Sequence, residues 1–141
     1  MTDKSDIALL IAVFGLHKDK RIEGRTRIQK EVCMLKFKSK IPFSFEYKPY
    51  YYGPYSEELS DTINTLVGVK LLKESMTTVG YNLFRYDYKL TKQGEELFEN
   101  LCNMRVDLVK PLRKQVRNLE SIATPNLVTQ AKAVSGLDSI C

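Results

Sequence analysis

The spacing of apolar residues predicts three helices in the first half of the chain. Ile7, Leu10, Ile11 and Phe14 recur at helical spacing, and the same period returns in two later segments. Ser56 directly precedes the last of these segments and can cap it, because a serine oxygen accepts from the free backbone N–H groups of a first turn. The predicted helices span residues 5–16, 25–37 and 56–67.

Alternation of apolar and polar residues predicts extended structure in two places. Phe43, Phe45 and Tyr47 alternate with polar residues, which indicates a short strand or an extended arm over 41–47. A second alternating region contains the turn signal Gly80-Tyr81-Asn82. It predicts a β-hairpin with strands over 71–79 and 83–90.

The last third of the chain is predicted to be mostly helical. A long helix is expected over 92–121, which Pro111 can kink, and a short one over 126–134 after the break at Thr124-Pro125. The apolar stripe of the long helix suits packing on the body or a helix-to-helix seam in a homodimer. The stripe consists of Leu97, Leu101, Met104, Leu108, Leu112, Val116, Leu119 and Ile122.

Three helices followed by a hairpin are the element order of a winged helix. The predicted fold class is therefore α+β, mainly helical, with three helices, a β-hairpin wing and an extra C-terminal long helix. A chain of 141 residues is expected to form one domain. Residues 1–91 would be the winged-helix core, and residues 92–141 a helical extension of the same domain. A fold class alone does not establish a function.

Composition narrows the function classes. No apolar run is long enough to span a bilayer, and the residues before Ile7 are acidic, unlike a signal peptide, so we expect a cytoplasmic protein without membrane contact. Cys33, Cys102 and Cys141 have no CxxC spacing, which argues against a disulfide framework or a zinc site. The single histidine, His17, has no evident catalytic partners. We predict no enzyme activity, no cofactor and no metal.

Charge is unevenly distributed along the chain. The formal net charge is +5, but residues 17–40 carry nine Lys or Arg against three acidic residues. Residues 56–100 reverse this balance, with five basic and eight acidic side chains, and the segment beyond 101 is basic again. A basic front and tail favour an anionic partner, whereas the acidic middle does not.

Three segments add a family resemblance. Residues 22–30 (Ile-Glu-Gly-Arg-Thr-Arg-Ile-Gln-Lys), then 43–47, then Tyr52-Gly53-Pro54-Tyr55-Ser56 resemble the YwgA-like family of small archaeal and bacterial winged-helix proteins. The chain is more distantly similar to the Panacea domain, which includes SocA-like antitoxins. The resemblance covers about 6–101 and implies a winged-helix fold with DNA binding, or a role as an adaptor or antitoxin. It supplies no catalytic residue, and residues 124–141 depart from the pattern.

Conventional DNA readout is not expected from the third helix. That helix normally enters the major groove, but here it has no Lys or Arg and carries Glu57, Glu58 and Asp61, which phosphates repel. The basic segment before and within the second helix is the better candidate for phosphate contact. Alternatively, Arg25 and Arg27 pair with carboxylates such as those of the third helix. The predicted nucleic-acid-binding residues are Lys20, Arg21, Arg25, Arg27, Lys30, Asn64 and Arg85.

A tyrosine-rich turn is the second candidate site. Tyr50, Tyr51, Tyr52 and Tyr55, here called the tyrosine corner, form either a packed joint or a recognition surface. Two functions follow as hypotheses. The first is a winged-helix transcriptional regulator that binds double-stranded DNA through its basic residues, as a homodimer through the C-terminal helix. The alternative is a protein-interaction module, an antitoxin or adaptor, that uses the corner and the acidic third helix.

Overall fold

The computed structural model describes residues 4–137, and Cys141 lies outside them. The chain is mixed α+β and mainly helical, which confirms the coarser prediction of fold class. Its elements are α1 (Lys4–Leu16), β1 (Arg21–Glu23), α2 (Arg25–Phe37), α3 (Glu57–Gly68), β2 (Leu72–Gly80), β3 (Leu83–Leu90), α4 (Lys92–Met104), α5 (Val106–Glu120) and α6 (Thr124–Ser135).

The strands form an antiparallel sheet in the order β1-β3-β2. The hairpin β2–β3 was predicted, whereas β1 was missed. Ile22 of β1 lies opposite Tyr88 of β3, and both side chains are buried. β2 pairs with the opposite edge of β3, where Leu72 lies across from Leu90 and both side chains are buried. The hairpin then continues beyond the core, so that most of β2 is exposed.

α1 is the centre of the core. Residues 10–14 are fully inaccessible, which is typical of a helix that is apolar all round. Both α4 and α5 pack against it. The ring of Phe98 in α4 lies where a side chain at Gly15 would begin, 2.2 Å from an ideal Cβ position. A glycine at this position is therefore what allows α4 to approach α1 so closely.

The alternating segment 41–47 is an extended arm and not a strand. Phe43 and Phe45 are buried and stack at 5.8 Å between ring centroids. Side chains replace the hydrogen bonds of a neighbouring strand: Asp6 accepts from the Ser44 N–H at 2.8 Å, and Glu58 accepts from the Glu46 N–H at 2.9 Å. The alternation of apolar and polar residues therefore predicted the buried side chains correctly, although the segment does not pair into a sheet.

The predicted long helix over 92–121 is wrong, because two helices occupy this region. The break lies at Arg105, where φ is −131° and ψ is 56°, and Pro111 lies inside α5 without ending it. The break allows α4 and α5 to pack both on α1 and on each other. The last helix begins at Thr124, two residues earlier than predicted, since Pro125 lies in its first turn where a missing N–H has no cost.

The apolar stripe of this region is used within the chain. Leu112 and Val116 are inaccessible, and Leu101 and Leu119 are buried, whereas Met104 is exposed. The other three, Leu97, Leu108 and Ile122, are partly buried against the core. Most of the side chains proposed for a dimer seam therefore already pack on the body. A homodimer through the C-terminal helix stays a prediction. Among the described helices, none has both the length and the apolar character that crossing a bilayer requires.

Candidate functional site

Arg25 connects α2, α3 and the hairpin. Its Nε donates to the hydroxyl of Tyr88 at 2.6 Å, its Nη1 donates to Ser60 Oγ at 2.8 Å, and Nη2 donates to Asn64 Oδ1. Tyr88 in turn donates to Glu74 at 2.6 Å, and Glu74 lies 3.7 Å from Arg25 Nη2. Burial raises the pKa of Tyr88 to about 12, so it stays a donor in this network.

Arg27 joins α2 to the end of α5. Its Nε pairs with Glu31 Oε2 at 2.7 Å, and its Nη atoms donate to the carbonyls of Leu119 at 2.7 Å and Ile122 at 2.8 Å. The Leu119 carbonyl lies in the last turn of α5, where a cation is favourable to the helix dipole, and Ile122 follows the end of that helix. His17 Nε2 donates to the other Glu31 oxygen at 2.6 Å. The Glu31 carboxylate is fully buried and has both oxygens partnered.

Arg21 and Arg85 surround a buried carboxylate on one face of the sheet. Asp87 is 1% exposed and accepts from Arg21 at 2.7 Å, from Arg85 at 2.6 Å and from Thr77 at 2.8 Å. Hydrogen bonding to Arg85 is the main reason that the pKa of Asp87 lies well below its usual range. Arg85 also pairs with Glu23 at 2.5 Å, which links β3 to β1.

Lys30 is the least accessible of the predicted site residues. Only 2% of it is exposed, and its Nζ donates to the carbonyl of Pro54 at 2.7 Å. Burial lowers the pKa of Lys30 to about 8, with the positive charge of Lys132 acting in the same direction. Since a free ammonium prefers water, its position under the tyrosine corner is energetically unfavourable in the charged form.

The structure brings four of the predicted cations together. Arg21, Arg25, Arg27 and Arg85 line a cleft of about 900 Å³ between the 17–27 segment, the hairpin and the start of α6. Each makes an ion pair with a carboxylate, but none pairs with Glu57 or Glu58 as the alternative reading suggested. Lys20 lies 3.7 Å from Glu95, away from this cleft. Phosphate binding by these residues remains a prediction, with their charges largely neutralised by neighbours.

The side chains of the tyrosine corner are mostly exposed to solvent. Tyr50, Tyr51 and Tyr52 are 52%, 71% and 63% exposed, whereas Tyr55 is half-buried and stacks on Tyr50 at 4.9 Å. Backbone hydrogen bonds between Lys48 and Tyr55 close the turn at 2.9 Å. Gly53 has a φ of 95°, which explains the glycine at this position.

A small cavity opens beneath this corner. Its volume is about 140 Å³, and its apolar walls come from Ile28, Leu59, Ile63 and the rings of Tyr50, Tyr52 and Tyr55. Arg25 and Lys30 also line it. The cavity thus combines an aromatic rim with two cations, and it lies directly beside the first two turns of α3.

The basic tail expected from the sequence includes a stripe of cations on α5, which were not among the individual residues predicted to bind nucleic acid. Lys110, Arg113, Lys114 and Arg117 are exposed and follow one another at the spacing i, i+3, i+4, i+7. They therefore share the helix face opposite the buried stripe. None makes an ion pair within residues 4–137, unlike the cations of the cleft. The sequence indicated a basic tail, and the structure distinguishes these four cations from those of the cleft, which pair with carboxylates.

Comparison with known proteins gives one informative similarity. Over 79 residues, 56% of this chain, it is 37% identical to the "Uncharacterized protein YwgA" of Bacillus subtilis (strain 168). The chain spans about half the length of that curated relative, since the match covers 46% of it. The match supports the resemblance to the YwgA-like family; the more distant resemblance to the Panacea domain stays a prediction. No family model matches the chain, and no solved structure matches it.

Proposed function

We propose that this chain is a winged-helix protein that acts by binding another protein, as an adaptor or antitoxin. The element order α1-β1-α2-α3-β2-β3 and the sheet order β1-β3-β2 support the winged-helix assignment. One feature departs from the usual pattern. Residues 38–56 separate α2 from α3, whereas a helix-turn-helix uses a turn of about three or four residues. That insertion carries the arm and the tyrosine corner.

The exposed tyrosine corner is the observation that carries this proposal. Three neighbouring tyrosines are more than half exposed, and large apolar surfaces of this kind mark interaction sites. Tyrosine is also enriched among the residues that dominate binding energy at interfaces. The corner lies beside α3, whose Glu57, Glu58 and Asp61 are exposed. The surface is therefore aromatic at one side and acidic at the other, which suits a basic protein partner.

Changing Tyr52 to Ala should weaken partner binding roughly 10- to 30-fold, as expected for an interface hot spot. Tyr52 is 63% exposed, so the substitution should leave stability nearly unchanged. The measurement uses the tagged chain to capture partners from a lysate of the source organism. The captured protein is then purified and titrated by calorimetry against wild type and Tyr52→Ala.

Tyr81→Ala is the matched control, because Tyr81 is 93% exposed but lies at the tip of the hairpin. It should bind like wild type, and Asp61→Asn should reduce the salt dependence of binding. An equal loss in both tyrosine variants, or an acidic partner insensitive to Asp61→Asn, would argue against the corner as the interface.

The basic stripe on α5 favours a second candidate function, binding of double-stranded DNA. Four unpaired cations on one face are suited to contact phosphates, whereas the cations of the cleft already pair with carboxylates. In this hypothesis the stripe positions the protein on DNA without reading sequence, since phosphate contacts are the same for every sequence. The acidic α3 would then face away from the duplex.

If the stripe contacts four phosphates, affinity for a mixed-sequence duplex should fall on the order of 10²-fold between 50 and 200 mM salt. Fluorescence anisotropy with a labelled duplex measures this. Changing Lys110, Arg113, Lys114 and Arg117 together to Gln should abolish most of the binding. A control variant loses the same charge from other exposed positions, by Gln at Lys38, Lys73, Lys89 and Lys92. Equal binding by both variants, or none by wild type at low salt, would rule out this function.

A further inference from the structure

The cavity beneath the tyrosine corner holds a buried ammonium that lacks a counter-ion. Within residues 4–137, Lys30 makes no ion pair with a carboxylate, and its ammonium donates to the Pro54 carbonyl. An ammonium has three N–H donors. The neighbouring Gln29 amide is engaged with Ser56, since it donates to the Ser56 carbonyl and accepts from the Ser56 N–H.

The charges around this cavity are positive. Arg25 lines it together with Lys30, and Lys132 of α6 acts electrostatically on Lys30. Arg25 uses one N–H from each of its three nitrogens in recorded bonds, so its two Nη atoms keep further donors. Buried charges normally have a partner. Arg25 already has Glu74 at 3.7 Å, so the partner that is missing within residues 4–137 is that of Lys30, and an anion or another strong acceptor would supply it.

The size and walls of the cavity limit what that anion can be. A volume of about 140 Å³ is too small for a nucleotide or a typical cofactor, whose pockets are several times larger. Polar side chains also line the cavity, but most of its exposed wall surface is apolar, which disfavours a strongly hydrated ion such as phosphate. What remains is a single ring or branched aliphatic group that bears a charged oxygen.

We propose that this cavity is a binding site for a compact apolar carboxylic acid. The carboxylate receives hydrogen bonds from Lys30 and Arg25, and the apolar body lies among the rings of the corner and the side chains of Leu59 and Ile63. The ligand is a free small molecule, because the cavity holds one such group and no more. This assignment does not rest on the protein-interaction function, although the rings of Tyr50 and Tyr52 belong both to the cavity wall and to the exposed corner.

Sodium benzoate is the probe, and benzamide is its uncharged counterpart of the same shape. In ¹⁵N-labelled full-length chain at pH 7, benzoate should cause saturable shifts of amide signals from Ile28, Leu59 and Ile63. Benzamide cannot form the charge-assisted hydrogen bonds, so it should bind about ten- to a hundredfold more weakly. Lys30→Met should weaken benzoate binding to the same degree. Lys114→Met, on the exposed face of α5, should bind benzoate like wild type.

Several outcomes would overturn the proposal. Equal binding of benzoate and benzamide would remove the role of the carboxylate, and unchanged binding by Lys30→Met would remove that of the ammonium. Shifts that map away from the cavity would place benzoate elsewhere. An acetylated peptide with a free C-terminal phenylalanine that binds where benzoate does not would assign the cavity to a protein chain end. None of these results depends on capture of a protein partner, so the two proposals fail separately.

Discussion

Arg27→Met should lower the free energy of unfolding by about 3–5 kcal/mol, the range expected when one member of a buried ion pair is removed. Arg27 Nε lies 2.7 Å from Glu31 Oε2, and the Glu31 carboxylate is fully buried. Met retains much of the side-chain volume but leaves that oxygen without a donor. The carbonyls of Leu119 and Ile122 would also lose the cation that satisfies them at the end of α5.

Urea denaturation followed by circular dichroism measures this loss, provided that the dependence on urea keeps the same slope. Arg113→Met is the matched control, because Arg113 is exposed on α5 and its substitution should change stability by less than about 0.5 kcal/mol. Arg27→Lys should fall between the two, since it keeps a charge but not the planar set of donors. A loss below 1 kcal/mol in Arg27→Met would mean that Arg27 does not hold α2 to α5.

Lys30 should make the stability of the chain rise with pH in an alkaline window. The pKa of Lys30 is about 8 in the fold, against 10.5 for an ordinary lysine. Between these values the unfolded chain binds a proton that the folded chain does not, so the free energy of unfolding increases with pH. The unfavourable burial of the charge is fully present below pH 8 and is gone above pH 10.5. The difference amounts to about 3 kcal/mol.

The comparison of wild type with Lys30→Met isolates this effect. Groups that do not interact with Lys30 cancel in the difference, whereas Cys33, whose pKa burial raises to about 11, interacts with Lys30 and contributes to the difference near pH 11. The wild-type stability minus that of Lys30→Met should rise by about 3 kcal/mol from pH 7 to pH 11. The variant also leaves the Pro54 carbonyl without its donor. This loss changes the stability difference by the same amount at every pH and leaves its dependence on pH unchanged. A stability difference that does not change with pH would mean that Lys30 is solvated. Lys114→Met is the control variant for this comparison.

The helices that carry their own signals were predictable from the sequence. α2 was predicted over the residues that it occupies, and Ser56 caps α3 by accepting from the Leu59 N–H. The predictions that failed concern features that depend on residues distant in the chain. β1 has three residues, too few to show a period, and it exists because β3 lies beside it. The break at Arg105 follows from packing two helices on α1, which no local pattern records.

The candidate site shows the same division. Sequence reasoning identified the tyrosine corner and the basic segment, because both are runs of one residue type. It did not predict which cations would be neutralised, since Arg27 meets Glu31 and the end of α5, and Arg25 meets Tyr88 and Glu74 only in the folded chain. The cavity around Lys30 is likewise a product of α2, α3 and the corner together.

The side-chain anchoring of the extended arm also has a consequence for the order in which the chain folds. The Ser44 N–H depends on Asp6, 38 residues earlier, and the Glu46 N–H depends on Glu58 of α3. Neither anchor exists until α1 and α3 are formed and near each other, and closing such loops is slow compared with forming a helix. The arm should therefore take its place late, after the helices have packed. The tyrosine corner, which follows directly in the chain, would be among the last parts to acquire its final shape.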